Sequence, residues 1–150
     1  MGFRFKMDPF HSAVYFTAML ITGIIEELLF RGLLFRAMSR DSLKSAVIVT
    51  SILFGAGHIV NLFNGNSDSI LATVCQLFYA AAAGFLFASV LLASKSIIPC
   101  MITHSVLNAL GTFSNEKALD EIQIPISISL CMISGASALI IFRNLKKQKS

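Results

Sequence analysis

Glu26, Glu27 and Arg31 stand within residues 13–35, a run that holds no other charge. A charge near the middle of a bilayer-length helix costs at least ~2.5–3.5 kcal/mol on insertion scales. Three such groups between positions 26 and 31 therefore need compensation. Glu27 and Arg31 are four residues apart, which puts them on one helical face and predicts an ion pair. Glu26 points about 100° away from Glu27 and is left without a partner on its own helix. A carboxylate of that kind is a candidate for chemistry.

Further polar residues interrupt two other apolar runs. His58 closes the stretch Phe54-Gly55-Ala56-Gly57-His58, and His104 is followed four residues later by Asn108. Counted at ~1.5 Å per residue from the nearest basic loop residues, Glu26, His58 and His104 rise ~15, ~21 and ~13 Å. Helix tilt covers that spread, so all three fall near the middle of the bilayer on separate helices. Each has a plain structural reading. A lone membrane histidine commonly hydrogen-bonds between helices, a Glu–Arg pair is commonly architectural, and Asn is common glue between spans. His11 reads as interfacial. The convergence at one depth shifts the balance, because this is a residue set for activating water and stabilising an oxyanion.

The elements that must hold these residues follow from composition. The 150 residues include no Trp and thirteen Phe; 55% are hydrophobic and 13% charged. Mean hydropathy is +0.76. Soluble domains carry about 25% charged residues, so the chain is expected to be an all-α, polytopic membrane bundle of about five transmembrane helices. One integral-membrane domain over 1–150 is expected, with its motif core at 23–111. No alternating pattern supports a β-barrel, and nothing supports nucleic-acid binding. Cys75, Cys100 and Cys131 lie on separate apolar runs without a CxxC, as core residues and not a disulfide framework.

In chain order, a short mixed-charge lead-in closes at Pro9, and span one covers about 12–35. Arg36, Arg40 and Lys44 follow in a loop where Ser39 or Asp41 could cap the next helix. Span two covers about 45–63, with Gly55 and Gly57 admitting a neighbouring helix or water beside His58. Residues 64–68 form a turn by composition. Span three, about 69–93, holds the small-residue run 80–84, read as helix packing. Lys95 and Pro99 turn the chain into span four, about 97–113. A charged loop at 114–123 precedes span five, about 124–142, and a basic tail. The positive-inside rule puts the 36–44 loop, Lys95 and the C-terminus in the cytoplasm. A bacterial inner membrane is the expected location.

Taken in order, Glu26-Glu27-x-x-x-Arg31, Phe54-x-x-x-His58 and His104-x-x-x-Asn108 resemble the three-motif signature of the CAAX-protease and bacteriocin-processing family, also called Abi. The resemblance implies an intramembrane endopeptidase. It implies Glu26 as catalytic carboxylate, His58 as its partner in positioning water, and His104 with Asn108 completing the site as oxyanion donors. Glu27, Arg31 and Phe54 take supporting roles. The substrate would be a peptide or protein, prenylated or membrane-associated, in contact with membrane lipid.

Two mechanisms use these residues. Glutamate-activated water needs no cofactor; alternatively Glu26, His58 and His104 are three ligand types for a divalent metal such as zinc. The metal-free route is preferred because no HExxH motif is present. A non-enzymatic immunity or scaffold protein would use the same polar layer for packing or partner binding. A proton-coupled transporter is disfavoured by the lack of inverted repeats.

Overall fold

The computed structural model describes residues 8–63, 70–113 and 116–147, and side chains throughout except at 61–62, 116–123, 142 and 145–147. The described chain is helical: α1 (Pro9–Glu27), a π-helical segment (Leu28–Leu34), α2 (Phe35–Ser39), α3 (Leu43–Ala56), a 3₁₀ turn (Gly57–Ile59), α4 (Val60–Phe63), α5 (Ile70–Ser94), α6 (Ile98–Gly111) and α7 (Glu116–Lys147). Pro9–Ser39, Ile70–Ser94 and Ile124–Ile141 are long and apolar enough to cross a membrane, whereas Leu43–Ile59 and Ile98–Gly111 are shorter apolar helices. The 14 residues of α6 rise only about 21 Å against a hydrocarbon core of about 30 Å.

Polarity is inverted relative to a soluble protein. The largest fully buried side chains are Arg31 and Glu27, followed by Thr50, Thr73, Cys100, Ser51 and Ser89. Ile21, Leu33, Phe78, Ile102 and Met132 are exposed, as suits helices whose outer solvent is lipid. Thr50, Ser51 and Ser89 satisfy their hydroxyls on the carbonyls of Ala46, Val47 and Phe85, one turn back. An apolar cluster of Phe35, Ala46, Val47, Phe87, Ala88, Leu91 and Cys100 joins α2, α3, α5 and α6.

Several boundaries depart from the sequence reading. Pro9 opens α1 at a position where its missing N–H costs nothing, and Asp8 caps the helix by accepting from the His11 N–H at 3.0 Å. His11 therefore belongs to the first turn; its ring Nδ1 lies 2.6 Å from Asp8 Oδ2. The His11 N–H holds the Asp8 carboxyl below the usual carboxylate range. The cap of α3 is Ser42, accepting from the Ser45 N–H at 3.2 Å, and neither Ser39 nor Asp41. Ser39 instead donates to the Arg36 carbonyl. Lys95 closes α5 in the left-handed conformation, with φ of 56°.

The expected 114–123 loop is helical from Glu116, and α7 runs through Pro125 without a break. A proline removes one backbone donor, while the polar residues preceding the apolar stretch can still extend a helix into water. The expected turn at 64–68 lies outside the described residues. The three cysteines are free, as expected.

Small residues set the helix spacing. An ideal Cβ on Gly23 would lie 2.6 Å from Ser105 Cα, so α1 and α6 touch backbone to backbone there. Gly84 packs likewise against α3, its Cβ position 2.9 Å from Ser51 Cα. Gly55 admits α5, but Gly57 faces open space and brings no helix to His58. Gly23→Ala should lower the thermal midpoint in detergent, at an overpacking cost of about 1–3 kcal/mol. Gly57→Ala should be tolerated. Equal midpoints for the two would contradict the contact.

Candidate active site

The glutamates lie where α1 passes into its π-helical segment. The Leu28 N–H is shared between the Ile24 and Ile25 carbonyls, and the Phe35 N–H reaches five residues back to Phe30. The five-residue reach is a widened π turn, a feature that recurs at functional sites. Arg31 sits in this segment, and its Nη1 donates to Glu27 Oε1 at 2.9 Å with both side chains fully buried. The expected pair is present. Its second anchor was not legible: Arg31 Nη2 donates to the Gly84 carbonyl of α5 at 3.2 Å.

His104 reaches both glutamates from α6. Its Nδ1 lies 3.0 Å from Glu27 Oε1 and its Nε2 3.5 Å from Glu26 Oε2. An ionised Glu27 can only accept, so Nδ1 carries the proton toward it. That leaves Nε2 to deal with Glu26. The His104 side chain is 8% exposed and Glu26 29% exposed, so the Glu26 carboxylate is open while the charges behind it are sealed. At 3.5 Å the Nε2 contact is at the long limit for a hydrogen bond, and the pair is not locked together.

Phe54 is the hub of the aromatic surroundings. Its ring meets Phe30 at 5.2 Å, His104 at 5.2 Å and His58 at 6.0 Å between centroids. The Arg31 guanidinium carbon lies 4.4 Å from its centroid. His58 is half-buried on the 3₁₀ turn. Among the described residues, the histidine that reaches Glu26 is His104. Asn108 is half-buried one turn beyond His104.

The contacts divide the seven residues singled out from the sequence. Glu26, Glu27, Arg31 and His104 form a connected polar chain, Phe54 packs against it, His58 meets the Phe54 ring, and Asn108 follows one turn after His104 on α6. Phe30, Phe87 and Gly84 were missed. Gly84 lies in a run read as packing, and the one signal for Phe87 was an aromatic three residues after that glycine. Among the described residues no group of three His, Cys, Asp or Glu side chains is found that could hold a metal ion.

The family described as type II CAAX prenyl endopeptidase, Rce1-like, matches residues 9–110, from the start of α1 to the end of α6. No curated protein and no solved structure matches the chain.

Proposed function

Because the chain belongs to the family of Rce1-like type II CAAX prenyl endopeptidases, which are membrane proteases, we propose that it hydrolyses a prenylated peptide substrate within the membrane, using water activated by Glu26. The observation that carries this reading is the asymmetry of the polar layer. Glu27, Arg31 and His104 are buried and mutually bonded, whereas Glu26 is open on one side and, among the described residues, forms its ion-pair contact with His104 Nε2. A layer built for helix packing alone would bury all four.

In this reading Glu26 takes a proton from water as the oxygen attacks the scissile carbonyl carbon. His58, half-open on its 3₁₀ turn, helps to orient that water. The carbonyl oxygen becomes an oxyanion that accepts from the Asn108 amide and from the Nε2–H of a His104 imidazolium, whose Nδ1–H is held by Glu27. Pre-aimed donors of this kind are among the larger catalytic contributions. When the C–N bond breaks, the proton on Glu26 passes to the leaving amine. Glu27, neutralised by Arg31, holds His104 Nδ1 and so fixes the orientation of the ring. No Ser or Cys stands at a motif-defining position, and Ser105, between His104 and Asn108, packs against Gly23; this disfavours an acyl-enzyme, and no step passes through a metal.

Prenylation of a C-terminal CAAX cysteine suits a lipid-exposed site, with the prenyl chain in hydrocarbon and the peptide at the polar layer. The basic 36–44 loop supports a cytoplasmic position for that end of α1–α3. The test is cleavage in liposomes of prenylated CAAX peptides, the same peptides unprenylated, and an unbiased peptide library. Preferential cleavage of the prenylated set is expected. Cleavage confined to library peptides would replace the substrate class, and no cleavage by folded protein would remove the enzymatic reading.

A further inference from the structure

Helix α5 carries none of the motif residues, yet it supplies two of the groups that hold Arg31. The Gly84 carbonyl accepts from Nη2 at 3.2 Å, and the Phe87 ring centroid lies 5.3 Å from the guanidinium carbon. Phe54 at 4.4 Å and Phe30 at 5.9 Å complete three aromatic faces around one cation. All three distances fall within the range of about 6 Å over which a ring quadrupole attracts a guanidinium. The need is evident, because Arg31 Nε and Glu27 Oε2 are buried without a hydrogen-bond partner among the described residues. Phe87, like Phe54, also touches His104, but it does so from α5. It faces the His104 ring at 5.6 Å with a 32° tilt, and its own carbonyl accepts from the Cys100 thiol of α6 at 3.3 Å.

We propose that Phe87 is a positioning residue for the proteolytic site: with the Gly84 carbonyl, it holds the Arg31 guanidinium from the α5 side, and through Glu27 it sets the His104 imidazole. The inference rests on the proteolytic reading for its effect on turnover. A leucine would fill much of the same space without a negative ring face toward the guanidinium, so the role is electronic as well as steric. Pure packing would make ring electronics irrelevant.

Ring fluorination separates the two, because it withdraws the π charge at nearly constant shape. Phenylalanine analogues with one, two and three fluorines are placed at position 87, and at the exposed Phe10 as control. With increasing fluorination at 87, kcat of the folded protein should fall stepwise, reaching about 3- to 30-fold, at unchanged KM, and the thermal midpoint should fall with it because the same attraction stabilises the buried cation. At position 10 nothing should change. A flat kcat across the series at 87, or a fall that vanishes when rates are taken per folded molecule, would overturn the proposal.

The second readout needs no substrate. In histidine-labelled protein in nanodiscs, the Nδ1–H proton of His104 bonded to Glu27 gives a downfield NMR signal. Fluorination at 87 should shift or broaden it, and an invariant signal would overturn the clamp. A wild type that cleaves no peptide would sink the proteolytic reading alone, while the NMR series would still decide whether Phe87 positions His104.

Discussion

Glu26→Gln should abolish peptide cleavage while leaving the protein folded. General-base catalysis contributes about 10²–10⁴-fold, so residual turnover should fall to that depth below wild type. The structure makes this substitution unusually clean. Glu26 is 29% exposed, and among the described residues its one ion-pair contact is to His104 Nε2 at 3.5 Å. An amide is the same size as the carboxylate and can still bond that nitrogen, so helix packing has no reason to change. The readings are turnover of the best peptide and the thermal midpoint in the same detergent. Activity within about threefold of wild type, on a rate scale where 1.36 kcal/mol is tenfold, would take the base role away from Glu26. A large drop in midpoint would show instead that Glu26 is architectural.

Arg31→Met is expected to have the largest effect on stability. The Arg31–Glu27 pair is fully buried, and among the described residues Glu27 Oε2 already has no hydrogen-bond partner. Removing the cation leaves a carboxylate in an apolar interior, a change that costs about 3–5 kcal/mol when a buried pair is broken from one side. Combining it with Glu27→Gln removes the stranded charge, and such replacements of whole pairs are often neutral or stabilising. The double variant should therefore recover most of the thermal midpoint lost by Arg31→Met. Turnover should not recover, because His104 Nδ1 then faces an amide instead of a carboxylate. A carboxylate that orients a catalytic imidazole is worth up to about 10⁴-fold. Recovery of both midpoint and activity would reduce Glu27 and Arg31 to helix packing; recovery of neither would mean that the pair's charge is itself needed for the fold.

The two predictions probe different sides of one arrangement. Glu26 tests the open face, where substrate and water would meet, and Arg31 tests the sealed charges behind it. A purely structural polar layer would respond to the second and not to the first. An enzyme should respond to both, with stability and turnover separating.

What the sequence determined by itself was whatever depends on neighbours along one helix or on solvent. The membrane bundle follows from apolar length and scarce charge. The Glu27–Arg31 pair follows from a four-residue spacing, and it persists although the helix widens into a π segment at that point. The helix-packing reading of the 80–84 run follows from side-chain size and is realised in the contact of Gly84 with Ser51. Tertiary structure decided the remainder. Helical periodicity specifies which residues share a face, but not how one helix is rotated against another. The backbone contact at Gly23 and Ser105 sets α6 against α1, and that rotation gives His104 to both glutamates. The Gly84 contact likewise brings α5 close enough to offer Arg31 a carbonyl and, one turn on, the ring of Phe87. Those partners are 53 or more positions distant in sequence, and only close packing of small residues between helices brings them together.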